Sequence, residues 1–168
     1  MAPITTRSAG LTLLLAALTL GSASAAGAND FVDTVAAANT AEIQASQALL
    51  QKTTFDDSKT LAHRLIDDHT ALNAQLLALA QKLGISVPDD AALAARATKI
   101  NGSPIKGMSP DASYAAAQVD LHKQAVALFT AESKSSDNEE LKAFALQNLP
   151  MMEHHLKMAT RLAKTHKK

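Results

Sequence analysis

The chain reads as an all-α protein, an antiparallel four-helix bundle with a long connection between its second and third helices. Three observations predict this. Apolar residues recur at helical spacing in four long segments, capping residues and helix breakers stand between those segments, and alanine, the best helix former, is abundant throughout.

The first helix is expected from about Asp30 to Lys52, capped by Asn29. At about 100° per residue, Phe31, Val35, Ala38, Ala45 and Leu49 fall on one stripe, and Glu42 lies near its centre. The second helix starts at a cap, Asp56 or Asp57, and stops at Gly84 after Leu83. His69 falls within its stripe of Leu61, Ala62, Leu65, Leu72, Leu76, Leu79 and Leu83, and His63 points the other way. Between Gly84 and Pro110 the pattern loosens, with room for a short helix from Asp89 to about Lys99. Such a connection is longer than antiparallel neighbours require, so it is either a crossover along the bundle or a flap.

Ser109-Pro110-Asp111 supplies a cap, a proline at the first helical position and an acid in the first turn. The third bundle helix then runs to about Ser133, with His122 between two apolar sets. Ser136-Asp-Asn-Glu139 reads as a capping box for the fourth. Its stripe is Leu141, Ala145, Met152, Leu156, Ala159 and Ala163; His155 flanks the stripe, His154 faces away, and Pro150 sits inside the helix.

The amino terminus reads as an address. Arg7 precedes the apolar run from Leu11 to Leu20, and Ala23-Ser-Ala25 fits a signal-peptidase site. Residues 1–25 are therefore expected to be a cleaved signal peptide and residues 26–168 the mature, periplasmic bundle domain. That apolar run is about ten residues, against the roughly 20 that span a bilayer.

Cysteine is absent, which excludes disulfides, thiolate ligands and a cysteine nucleophile. Removing the signal takes away only Arg7, leaving a net charge of about −1 and no general pull on nucleic acid or anionic lipid. Aromatic residues are too few to build stacking platforms. No G-x-S-x-G elbow or phosphate-cradling glycine loop occurs.

What remains is one metal-capable residue on the apolar side of each helix: Glu42, His69, His122 and His155. Burying such groups singly is costly, so four together are expected to share a transition metal ion (Zn, Cu, Fe or Ni) or a hydrogen-bond network. Asp68 and Asp120 are candidate acceptors orienting the imidazoles. Counted at 1.5 Å per residue, Glu42, His69 and His122 each stand roughly 20 Å from a bundle end, and His155 roughly 29 Å. His155 joins the layer only if tilt, the proline kink or uneven turns close that gap. A weaker, copper-type set is Met151, Met152, His154 and Met158, whose positions scatter around one helix.

Several segments resemble a known family in the same order: Thr40-Ala-Glu-Ile, Leu65-Ile-Asp-Asp-His69-Thr, Val119-Asp-Leu-His122 and Leu149-Pro-Met-Met-Glu-His-His155-Leu. They resemble the bacterial domain-of-unknown-function family four-one-four-two, often labelled "predicted outer membrane protein" and grouped with ferritin-like bundles. The resemblance covers nearly all of the mature chain and implies an exported, ferritin-like bundle; it brings no established activity. The Glu-x-x-His pairs of di-iron ferritin-like proteins do not occur here. The expected roles are therefore metal sequestration or sensing in the cell envelope, or a structural, stress-related envelope protein that meets protein partners. A metal-dependent oxidoreductase ranks last.

Overall fold

The structure, a computed structural model, describes residues 23–167. It is all-α, with five helices and no strand among the described residues: α1 Ala23–Leu50, α2 Asp56–Leu83, α3 Asp90–Asn101, α4 Pro110–Ser135 and α5 Glu139–Thr165. The expected signal segment up to Ser22 lies outside the described residues. No described helix is long and apolar enough to cross a membrane.

Most termini form where local chemistry places them. Gly84 has φ 67° and ends α2, its N–H reaching Gln81 while the Ile85 N–H reaches Ala80, which satisfies two orphan carbonyls. Asp89 caps α3 by accepting from the Ala92 N–H, and Ser109 caps α4 by accepting from the Ala112 N–H.

Three expectations are corrected. Asn29 does not cap α1, which already begins at Ala23, because the intervening alanines propagate the helix. Neither Asp56 nor Asp57 is the cap of α2. Phe55 holds that position without a side-chain hydrogen bond, and the two acids sit in the first turn, where the helix dipole favours them. The cap of α5 is Asn138 rather than Ser136. The Asn138 side-chain Oδ1 accepts from both Glu140 and Leu141 N–H groups, two bonds from one side chain, whereas the Ser136 hydroxyl bonds only to the Asn138 backbone, accepting from its N–H and donating to its carbonyl.

The four long helices are linked pairwise: α1 lies against α2 and α4, and α5 against α4 and α2. Contacts between α1 and α4 run in opposite residue order, Phe31 with Phe129, Glu42 with His122, Ser46 with Tyr114. Those between α2 and α5 do the same, Lys82 with Glu140, Asp68 with His155, Asp57 with His166. Because α2 ends near Phe31 and α4 begins with Asp111 bonded to Thr53, the connection has to travel the length of α1. α3 makes that journey, burying Leu93 and Ala97 and donating from the Asn101 amide to the Ala41 carbonyl at 3.0 Å.

Two apolar clusters fill the interior. One is built around edge-on contacts of Phe31 with Phe129 and Phe144, together with Leu72, Leu76 and Met152; the other contains Leu49, Leu61, Leu65, Tyr114 and Leu162. On every long helix the polar residue of interest falls between them: Glu42 between Ala37 and Leu49, His69 between Leu65 and Leu72, His122 between Ala115 and Phe129, His155 between Met152 and Ala159. The fold therefore places one polar layer between two dry ones.

The assignment of the α5 cap is testable. Asn138→Ala should destabilise the fold by about 1 kcal/mol in denaturant titration, and Ser136→Ala by clearly less. Equal losses would return the cap to Ser136.

Candidate metal centre

The residues of that layer are almost wholly covered: relative exposure is 0% for His155, 1% for His122, 3% for His69 and 4% for Glu42. The three imidazoles form a compact triangle, with ring centroids 5.2 Å apart for His122 and His155, 5.4 Å for His69 and His155, and 5.7 Å for His69 and His122. His155 reaches the layer partly because α5 starts two residues later than the capping box implied. It stands 16 residues into its helix, or roughly 24 Å, while His122 is 13 residues from the end of α4, or roughly 20 Å.

Each imidazole is held by one nitrogen. The His69 Nδ1–H donates to Asn39 Oδ1 at 2.8 Å, and the Asn39 amide donates in turn to Asn73 Oδ1. His122 Nδ1–H donates to the Gln118 carbonyl one turn earlier, at 3.0 Å. His155 Nε2–H donates to Asp68 Oδ2 at 2.8 Å, and Asp68 is itself paired with Arg64. A carbonyl or carboxylate oxygen can only accept, so these bonds settle the tautomers of His122 and His155. For His69 the same reading follows from Asn39, whose amide nitrogen is occupied by Asn73.

The second nitrogen of each ring is the informative one. His69 Nε2, His122 Nε2 and His155 Nδ1 are buried without a hydrogen-bond partner. One nitrogen from each ring lies within 4.8 Å of one from each of the others, a grouping able to hold a metal ion. Three buried neutral lone pairs on rings this close together are an arrangement that needs a cation or donors to satisfy it.

Glu42 stands beside the trio rather than within it. Its Oε1 lies 3.8 Å from His122 Nδ1, the nitrogen that donates to Gln118, and its Oε2 has no partner. Burial pushes its carboxyl up to about 8, with the neighbouring Gln118 side chain offsetting part of the rise. Burial likewise holds the His122 imidazole down at about 4, helped by His155. It also holds His69 well below the usual histidine range, with His122 and His155 adding to the effect, and lowers His155 against the opposing pull of Asp68.

The remaining expected site residues divide. Asp68 serves an imidazole, but on α5 rather than the adjacent His69, since neighbours on a helix point about 100° apart. Asp120 does not join the site: it is exposed and pairs with Lys123 at 3.7 Å, because two residues before His122 is the far side of α4. Met151, Met152, His154 and Met158 are not brought together. Met152 is core, Met151 packs against the same cluster, Met158 belongs to the other cluster and His154 is exposed. Sequence reasoning passed over Asn39, Gln118 and Arg64. Each stands three or four residues before a site residue (Glu42, His122, Asp68), a spacing that puts it on the same face.

The chain matches the family described as Domain of unknown function (DUF4142) over residues 16–162. It belongs to that family. No curated protein and no solved structure compared with it matches. The membership of this DUF4142 chain carries its fold-length sequence pattern, and the chemistry has to be argued from the layer itself.

The shifts set a pH profile for metal-free protein. Below 6.5 the unfolded chain takes up histidine protons that the folded one resists, so that stability, complete above 6.5, falls as pH drops towards 4. Glu42 acts in the opposite sense: its contribution is present below 4.5 and lost as pH rises towards 8. Chelator-treated protein should therefore be most stable at about pH 6.5–7, and Glu42→Gln should remove the decline on the alkaline side. Thermal unfolding across pH 5–9 checks both; a flat profile contradicts them.

Proposed function

We propose that this chain is an exported, ferritin-like four-helix bundle of the cell envelope that binds one divalent transition metal ion at its centre, for sequestration or sensing. The ion is held by Nε2 of His69, Nε2 of His122 and Nδ1 of His155. The single observation that carries this reading is the set of three buried, unpartnered lone pairs, each on a ring whose other nitrogen is already tied down.

The donor set fits such an ion. Atoms mutually within 4.8 Å lie at most about 2.8 Å from a common centre, so closing to the roughly 2.0–2.1 Å of a Zn–N bond needs side-chain shifts under 1 Å. The outer bonds of Asn39, Gln118 and Asp68 are the kind that fix ring orientation in metal sites. Imidazoles without thiolates suit Zn, Cu(II), Fe(II) or Ni(II). Glu42 stands next to the ion's site, on the N–H side of His122, as a wall residue able to hydrogen-bond a further ligand. The rival reading, a hydrogen-bonded layer that only fixes the fold, accounts for the outer nitrogens and leaves the inner three unexplained.

Export through residues 1–25 and a periplasmic location belong to this proposal, supported by the apolar run and the Ala23-Ser-Ala25 site. So does the bundle description, supported by the opposed contact order of neighbouring helices.

Elemental analysis of purified protein should find close to one equivalent of metal. His122→Ala should abolish its retention, and Asp68→Ala should weaken affinity about 10–100-fold while leaving the ligands in place. Protein that carries no metal and shows no thermal shift with Zn, Cu or Fe(II) would sink the proposal and favour the structural reading.

A further inference from the structure

A cavity of about 330 Å³ abuts the histidine layer. Its walls are apolar, with Val35 and Ala38 from α1, Ala125, Leu128 and Phe129 from α4, and Met152 from α5. Its inner end is polar, because Asn39, Glu42, His69 and His122 line it, and the last three each carry a buried side-chain atom without a partner. His155 does not line it. The cavity therefore meets the trio from one side only, the side on which a further ligand can reach an ion held there. At its outer end stand exposed Thr34 and Gln124 and, from the crossover helix, Ile100, which is 37% exposed.

Protein interiors are close-packed, so space of this size beside a phenylalanine needs a reason. It is about twice the roughly 150 Å³ of an apolar cavity that takes up benzene, enough for about ten non-hydrogen atoms. Alanines at positions 38 and 125 keep it open where larger core residues would close it. Three histidine ligands leave a divalent ion with at least one free position. No lysine, arginine or aspartate is among the residues lining the cavity, so the protein itself offers an anion no counter-charge there. A dication among neutral imidazoles does.

We propose that the cavity is a binding site for a small monoanionic molecule with an oxygen-donor head and an apolar tail, a medium-chain monocarboxylate in class. The head completes the coordination of the ion at the polar end that Asn39 and Glu42 line, and the tail fills the space between Val35 and Phe129. This rests on the metal reading and adds a ligand to it.

The test uses Co(II)-loaded protein, whose visible bands report coordination, titrated with acetate, butyrate, hexanoate and octanoate. Affinity should rise along the series, by up to about fourfold for each methylene that becomes buried, so that octanoate binds at least tenfold tighter than acetate. Ala125→Leu and Ala38→Leu, which fill the cavity from two different helices, should flatten the series without changing Co(II) stoichiometry. Co(II) bound at one equivalent with equal affinities for all four anions, or a series unchanged in both variants, overturns the ligand site and leaves the metal site standing. Failure to bind Co(II) at all removes both.

Discussion

Three buried imidazoles packed against one another, each with one nitrogen left unpartnered, are the constraint around which the rest of the structure is arranged. Neutral imidazole is the form that burial favours, and the tied nitrogen of each ring decides which atom is left over. Asn39 with Asn73, the Gln118 carbonyl and Asp68 with Arg64 make those ties, from α1, α4 and α2 respectively. A buried acceptor without a donor costs about 1–3 kcal/mol, so three of them in one layer are a standing cost to the fold.

The apolar clusters above and below the layer give the site its environment. Phe31, Phe129 and Phe144 cover it on one side and Leu61, Leu65 and Leu162 on the other, so the layer is largely desolvated and electrostatic interactions there are strong. The same dryness raises Glu42 and lowers the histidines, giving a layer neutral near pH 7 without relying on ion pairs. The crossover helix adds the remaining feature. By lying along α1 it supplies Ile100 to the rim of a cavity that a plain hairpin connection would have left uncovered.

Much of this was legible in the residues. Helical periodicity assigned Glu42, His69, His122 and His155 to inward faces and His63 and His154 to outward ones, and burial agrees for all six. Gly84, Asp89 and Ser109 announced their helix ends. The places where reading stopped short are those where two local signals competed. Ser136 and Asn138 are both good caps, and only the geometry of the turn shows which side-chain oxygen meets the free N–H groups. Asp56 and Asp57 look like caps yet are better placed one step inside. Asp68 and Asp120 stand equally near a histidine along the chain, and the 100° step of the helix sends one to a neighbouring helix and the other to solvent.

By itself the sequence determined which side chains face inward, because that depends only on a local repeat of 3.6 residues. It also determined membership of the DUF4142 family, through the motifs around Glu42, His69, His122 and His155. Tertiary structure alone decided which nitrogen of each ring is free, that Glu42 stands behind His122 rather than among the three converging atoms, and that a cavity adjoins them. Those outcomes depend on acceptors and walls contributed by other helices, whose relative height and rotation no local periodicity encodes.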